Sequence, residues 1–365
     1  MSAVDVAYVT LALVPGIGRA RLSHLLAHFH SADAVLDASV DQLAAVRGMS
    51  RAAATAVANA SRETGTRAIA RAEEIGGRVL VPDSPDFPGS LRTIPESPTL
   101  LFVQGDVRLL HAEAVAIVGS RHHSRYGAEA ARHFAAGLAR AGLVVVSGMA
   151  RGLDAVAHHA TLDAGGGTVG VLGNGLGVVY PAANRALYDR VREFGCLITE
   201  FPPGERPSAG SFPRRNRLIS GLARATLVIE AREKSGALIT VDCALAQGRE
   251  VLAVPGAITS PTSVGCNRLI QQGAKPALAV DDVLEEYGIV AAPVGDSQAE
   301  LGERDRMVLA ALDRGLQSPD EVAVALEWSV AEALSALTDL ELRGIVACEP
   351  GGTFRRTVGS VAVGS

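Results

Sequence analysis

The chain has 365 residues, 48% of them hydrophobic and 4% aromatic, and a formal net charge of −5. That length holds two or three domains around one large core, because single cores stop growing at roughly 250–300 residues. An acidic total excludes nucleic-acid binding by overall basicity, so any such role requires a local patch.

Lysine occurs only at Lys234 and Lys275, and nearly every positive charge is therefore an arginine. Either codon usage or a demand for forked, bidentate phosphate contacts gives that bias. Cys196, Cys243, Cys266 and Cys348 are far apart, with no CxxC pair and no companion histidines. They read as small buried hydrophobes of a reduced cytosol, and no metal site is expected. No basic segment leads into an apolar stretch at the start, and the apolar runs are too short to span a bilayer. A soluble, cytoplasmic protein without membrane insertion is expected.

In chain order, residues 1–72 read as helical. Val14-Pro15-Gly16-Ile17-Gly18-Arg19 is an apolar–Pro–Gly turn opening a helix with Leu22, Leu25 and Leu26, and Leu43 to Ser50 repeats the pattern more loosely. Such a turn resembles a helix-hairpin-helix or SAM-like element. Either it presents N–H groups to a DNA phosphate, or Gly16 and Gly18 only permit a tight turn between helices. A Pro-rich loop over 81–98 follows, with candidate strands at 78–81 and 99–103 on either side.

From Val115 onward short Val/Ile runs alternate with amphipathic stretches. The strand candidates are 115–119, 143–147, 168–172, 196–199, 226–230 and 250–254. Alternation of this kind specifies a doubly wound, mostly parallel, Rossmann-like sheet over residues 73–288, with ligands beyond the carboxyl ends of the strands. Residues 289–302 read as a linker. The tail, 303–358, has the outline of a winged helix: three helices, then a strand pair around 345–347 and 353–355. Its third helix carries Glu332, Asp339 and Glu341 against Arg343 alone, which favours protein contact over duplex reading.

The chemistry concentrates in the turns that end the strands. Gly119-Ser120-Arg121, then Ser147-Gly148-Met149-Ala150-Arg151-Gly152, then Gly173-Asn174-Gly175 combine glycine, hydroxyl and guanidinium, the ingredients of a phosphate site. Tyr180-Pro181 with Asn184 and Arg185 follows, and Tyr180 either stacks on an unpaired base or closes the core. In Phe212-Pro213-Arg214-Arg215-Asn216-Arg217, three arginines in four residues cannot all point inward. Arg214, Arg215 and Arg217 either contact phosphate or pair with Glu200, Glu205 or Glu230. Ser235-Gly236 sits at a helix start, another anion site.

Competing chemistries fit less well. The dinucleotide fingerprint lacks its later glycines, no P-loop Gly-Lys-Ser/Thr occurs, and no G-x-S-x-G elbow supports hydrolysis. Asp154 and His158, one helical turn apart, read as a cap and its neighbour rather than a catalytic pair. No catalytic residue and no cofactor is expected.

Taken together and in this order, with Ser235-Gly236-Ala237-Leu238-Ile239-Thr240 and Ala253-Val254-Pro255-Gly256, these motifs resemble the DNA-processing protein A family, DprA or Smf, closely over about 110–275. The resemblance implies a non-enzymatic homodimer that binds single-stranded DNA, protects incoming strands and loads RecA recombinase onto them in natural transformation or recombination. It makes Arg121 the leading phosphate contact and implies that Arg214, Asn216 and Arg217 shape or line the same pocket. It also exposes departures: many members have Tyr-Pro-Lys where this chain has Tyr180-Pro181-Ala182, and Gly-Leu-Asp where it has Gly175-Leu176-Gly177. Arg185 is then the candidate for the missing charge. The alternative keeps the pocket but fills it with a nucleotide, as in lysine-decarboxylase-like phosphoribohydrolases. No carboxylate follows Ser235-Gly236 before Asp242, which counts against glycosidic hydrolysis.

Overall fold

A computed structural model describes residues 5–289, 302–342, 345–349 and 352–356. It divides into two compact units, Met1–Ile289 and Val290–Ser365. The first opens with six helices: α1 (Val6–Ala12), α2 (Arg19–Phe29), α3 (Ala32–Leu36), α4 (Val40–Ala44), α5 (Arg51–Ala58) and α6 (Arg62–Glu74). Leu11, Leu22, Leu25, Val35, Leu43 and Val57 fill the common core of α1 to α5. Ser31, Ser39, Ser50 and Ser61 each cap the helix that follows by accepting from its first turn, so short helices with modest propensity hold defined ends.

The sheet region runs β1 (Gly77–Leu80), α7 (Gly89–Arg92), β2 (Leu101–Gly105), β3 (Ala114–Val118), α8 (Arg125–Arg140), β4 (Val144–Ser147), α9 (Leu153–Asp163), β5 (Thr168–Val171), α10 (Arg185–Phe194), β6 (Cys196–Thr199), α11 (Ser211–Leu222), β7 (Ala225–Val228), α12 (Gly236–Ala246), β8 (Glu250–Ala253), α13 (Val264–Gln271), β9 (Lys275–Pro276) and α14 (Val280–Leu284). Nine strands form one sheet in the order β1-β2-β6-β5-β4-β3-β7-β8-β9. From β6 to β9 neighbouring strands are parallel, and β2 joins β6 and β1 antiparallel. β3 to β7 are buried at every position. That is why they read as continuous Val/Ile runs rather than alternating ones, since helices cover both faces.

The helical front is continuous with the sheet. Val9, Ala68 and Ala72 pack with Val79, Leu100, Phe102 and Leu197 in one cluster. β9 closes one edge, where Lys275 pairs with Glu285 and Glu286 at 2.8 and 2.9 Å. A charged, two-residue edge strand discourages further pairing.

The second unit contains α15 (Glu303–Asp313), α16 (Pro319–Leu326), α17 (Val330–Leu342) and the antiparallel pair β10 (Val346–Glu349) and β11 (Thr353–Arg356). Its core holds Val308, Leu312, Val322, Leu337, Leu340 and Phe354. Pro319 begins α16 behind a capping box of Ser318 and Glu321. The predicted linker, apart from Ile289 and Gly302, and Arg343 lie outside the described residues.

Candidate nucleic-acid interface

β3 lies between β4 and β7, the point at which the strand order reverses direction. The turns leaving these three strands therefore border one crevice, where open α/β sheets bind ligands. Together with the first turn of α11 they line an open cleft of about 830 Å³, with Arg121, Phe212, Asn216, Arg232, Lys234 and Gly236 on its walls. A smaller recess of about 240 Å³, reached past Arg121 and Phe212, is walled by Arg151, Gly173 and Tyr180.

The Gly-Ser-Arg turn is fixed by its neighbours. The Ser120 N–H donates to the Glu230 carbonyl at 2.9 Å. The Ser120 hydroxyl donates to the His122 carbonyl at 2.8 Å and accepts the His122 N–H at 3.1 Å. Gly152 packs on the same turn with φ +82°, and a Cβ there would strike the Ser120 carbonyl and the Arg121 backbone. Held this way, the exposed Arg121 places its guanidinium 5.6 Å from the centre of the Phe212 ring. Phe212 in turn lies 5.5 Å from Tyr180, tilted by 33°. Tyr180 is 46% exposed. A cation, a ring and a half-open ring thus form a row of flat faces on which unpaired bases can stack while a phosphate meets the guanidinium.

Under this row lies a buried polar support. Asp154, at the start of α9, accepts the N–H groups of Gly148 and Ala150 at 3.1 and 3.4 Å. Arg215 is 4% exposed and donates to the carbonyls of Gly148 and Val171. Burial pushes the Asp154 carboxyl up, against the pull of Arg215 and of the two N–H groups. Burial likewise lowers the Arg215 guanidinium, with Asp154 opposing it. Asn184 braces the same turn by donating to the Met149 and Ala150 carbonyls at 3.0 and 3.1 Å. Those bonds hold Met149 at φ +56°, a region that non-glycine residues seldom occupy.

Several residues predicted to contact phosphate are consumed in this support. The Ser147 hydroxyl donates to the Ile117 carbonyl at 2.6 Å. The Gly148 N–H is taken by Asp154, so an internal carboxylate already occupies the nest that the turn makes. Gly175 is buried and donates its N–H to the Glu205 carbonyl at 2.9 Å. Asn184 faces the Met149 turn, and Asn216 accepts from Arg215 Nε at 3.1 Å although it also borders the cleft. Arg217 turns to the other flank of α11 and pairs with Glu200, which lies 4.0 Å from Arg214. Of the acids weighed as arginine partners, Glu230 serves Ser124 and Thr262 instead, each at 2.9 Å.

Gly119, Ser120, Arg121, Arg151, Gly152, Gly173, Tyr180, Ser235 and Gly236 do lie on or beside the two recesses, the last two at the N-terminus of α12, while Arg185 is exposed at the start of α10 and Arg214 lies with Arg217 in a separate cleft on the other flank of α11. Phe212, Arg232 and Lys234 belong to the wall as well, yet were not among the predicted contacts. Their signal was proximity: Phe212 precedes the arginine cluster, and the other two precede Ser235. Arg121, Arg151, Arg185, Arg232 and Lys234 have no ion pair among the described residues.

Asp154 and His158 do not hydrogen-bond to each other. His158 meets the Thr168 hydroxyl at 2.7 Å, and burial pushes its pKa down to about 3. A fully buried neutral imidazole and a carboxylate capping a turn present no acid–base pair to the cleft.

These features define a class: a Rossmann-like, mostly parallel α/β protein with an arginine–aromatic cleft at its topological switch, preceded in sequence by a helix-hairpin-helix part and followed by a winged-helix unit. The family described as DNA recombination-mediator protein A matches residues 78–288, a SAM-like helix-hairpin-helix tandem matches 9–63, and the DprA winged helix domain matches 290–352. The chain belongs to the DprA/Smf family of DNA processing proteins. A putative DNA processing protein DprA of Mycobacterium tuberculosis is 40% identical over 296 residues, covering 76% of each chain. The DNA processing protein DprA of Streptococcus pneumoniae is 45% identical over 201 residues, 55% of this chain and 71% of that protein. In three dimensions, the S. pneumoniae DprA structure superposes with a TM-score of 0.69 at 34% identity, covering 78% of this chain and 98% of that one. DNA processing protein A from Helicobacter pylori, whose structure is described for its single-stranded DNA binding mode, superposes at 0.53 with 26% identity over 58% and 95% of the two chains. No helix among the described residues is long and apolar enough to cross a membrane.

Proposed function

We propose that the chain binds single-stranded DNA in the cleft between β3, β4 and β7 without transforming it. The observation that carries this reading is the Arg121–Phe212–Tyr180 row, backed by unpaired Arg232 and Lys234. Guanidinium and ammonium groups supply sequence-independent attraction to phosphates, and exposed rings discriminate for bases free to stack. A duplex hides those bases. Family membership and the DNA-binding relative support the same ligand. At the finer level, the protein acts as a homodimer that protects incoming strands and loads RecA recombinase onto them during natural transformation or recombination. Arg151 and Arg185 extend the phosphate track in place of the lysine that Ala182 replaces.

Arg121→Ala is expected to weaken binding of a fluorescent single-stranded oligonucleotide roughly tenfold for every base composition, the size of one charge-assisted contact. An unchanged isotherm would place the cleft elsewhere. Incubation with nucleoside monophosphates is expected to release no free base, and its release would replace a binding protein with a hydrolase.

A further inference from the structure

A cleft of about 730 Å³ lies along the other flank of α11, against the helical front. Phe212 and Asn216 face the first cleft, whereas Arg214 and Arg217, three residues apart on one helix face, line this one. Its opposite wall is the Gly16–Arg21 turn and the start of α2. α2 runs for eleven residues after Gly18, and no side chain caps it. Its first-turn N–H groups therefore open toward the cleft with the positive end of the helix dipole behind them.

The side chains around this space point to a missing anion. Arg217 is 8% exposed, and its Nε and Nη1 have no hydrogen-bond partner among the described residues. Glu200 engages only its Nη2. Arg19 Nη1 is likewise buried without a partner. Arg214 is exposed at 60% of its side chain. Other cations on the wall are already engaged: Arg21 donates to the Gly16 and Gly48 carbonyls at 2.7 and 2.9 Å, and Arg92 to the Ser84 carbonyl at 3.0 Å. Glu96 and Glu200 are the acids on the wall, and Glu200 is matched by Arg217. A buried guanidinium with two empty donors is costly unless something accepts from it.

We propose that this cleft is a second phosphate site, built jointly by the start of α2 and by Arg19, Arg214 and Arg217. A single strand seated on Arg121 and Phe212 continues over the first turn of α11, and a later backbone phosphodiester settles there. The strand rests on the DNA-binding reading given above, and the pocket rests on its own donors.

The test is fluorescence anisotropy of the full chain with oligothymidylates of increasing length, comparing the unaltered protein with Arg19→Ala and Arg214→Ala, each checked for an unaltered melting temperature. Oligomers short enough to fill only the first cleft are expected to bind all three proteins alike. Longer ones are expected to lose roughly tenfold in each variant, with the salt slope falling by about 0.7 per phosphate contact removed. If longer oligomers bind both variants undiminished while Arg121→Ala still weakens them, the second site is wrong and the first stands. If Arg121→Ala also changes nothing, the DNA-binding reading itself fails. A response of Arg19→Ala to inorganic phosphate alone, with no effect on long oligomers, would assign the pocket to a free anion and overturn the strand path.

Discussion

A guanidinium serves a polyanion only where its donors are open, and within four residues α11 places three arginines in three settings. Arg214 is exposed, Arg215 is sealed beneath the Gly148 turn, and Arg217 faces Glu200. The sequence showed that not all could point inward, but a helix turns by about 100° per residue and the motif does not say which face meets the sheet. The aromatic partner is as important as the charge. Phe212→Leu keeps bulk and removes the π-face, so single-strand affinity is expected to fall by about 1–3 kcal/mol, as for one lost base-stacking platform, with melting temperature little changed. Equal affinity in an oligonucleotide titration would mean that the ring only packs. His158 makes a prediction about pH. Its folded pKa, about 3, lies below the ordinary 6.5, so the unfolded chain takes up the proton first on acidification. Its contribution to stability is complete above about pH 6.5 and is lost as pH falls toward 3. His158→Gln is expected to flatten the acid limb of a denaturant-midpoint profile between pH 7 and 4. Parallel profiles for variant and parent would contradict this.

The strands were legible as elements because parallel strands buried on both faces must be apolar throughout, and the six runs from Val115 to Val254 contain little else. Their glycine turns were legible as a set, but their individual roles were not. Asp154 occupies the N–H groups of its own turn, and Glu230 caps α8 through Ser124, pairings that join residues six and 106 apart in sequence. Which turns converge depends on strand order. β3 between β4 and β7 makes three of the six strand ends a crevice, and the turn after β5 contributes at its margin. Gly152 shows how an element junction secures the site. At φ +82°, against the Ser120 carbonyl, it is expected to tolerate no Cβ. Gly152→Ala should cost about 1–3 kcal/mol in thermal or chemical denaturation and weaken DNA binding in parallel, because the turn that carries Arg121 must move. A variant of parental stability and affinity would show that this packing is dispensable.

Across the whole molecule the charge is −5, yet Arg121, Arg151, Arg232 and Lys234 line recesses at one edge of the sheet. Acids elsewhere have local work: Glu321 and Glu332, in the first turns of α16 and α17, accept the N–H groups of Ser318 and Ser329 just ahead of those helices, and Glu341 accepts the Cys348 N–H at 3.1 Å. Overall acidity and a polyanion site are compatible for this reason, since screening confines each charge to about a Debye length. The direct test is a salt series of binding isotherms for the full chain with a single strand and with its duplex. Log affinity for the single strand is expected to fall linearly with log salt, with a slope of about −0.7 for each phosphate engaged, and to exceed that for the duplex at every salt concentration. A flat dependence, or equal binding of the duplex, would contradict a cleft that grips unpaired DNA through arginines and stacked rings.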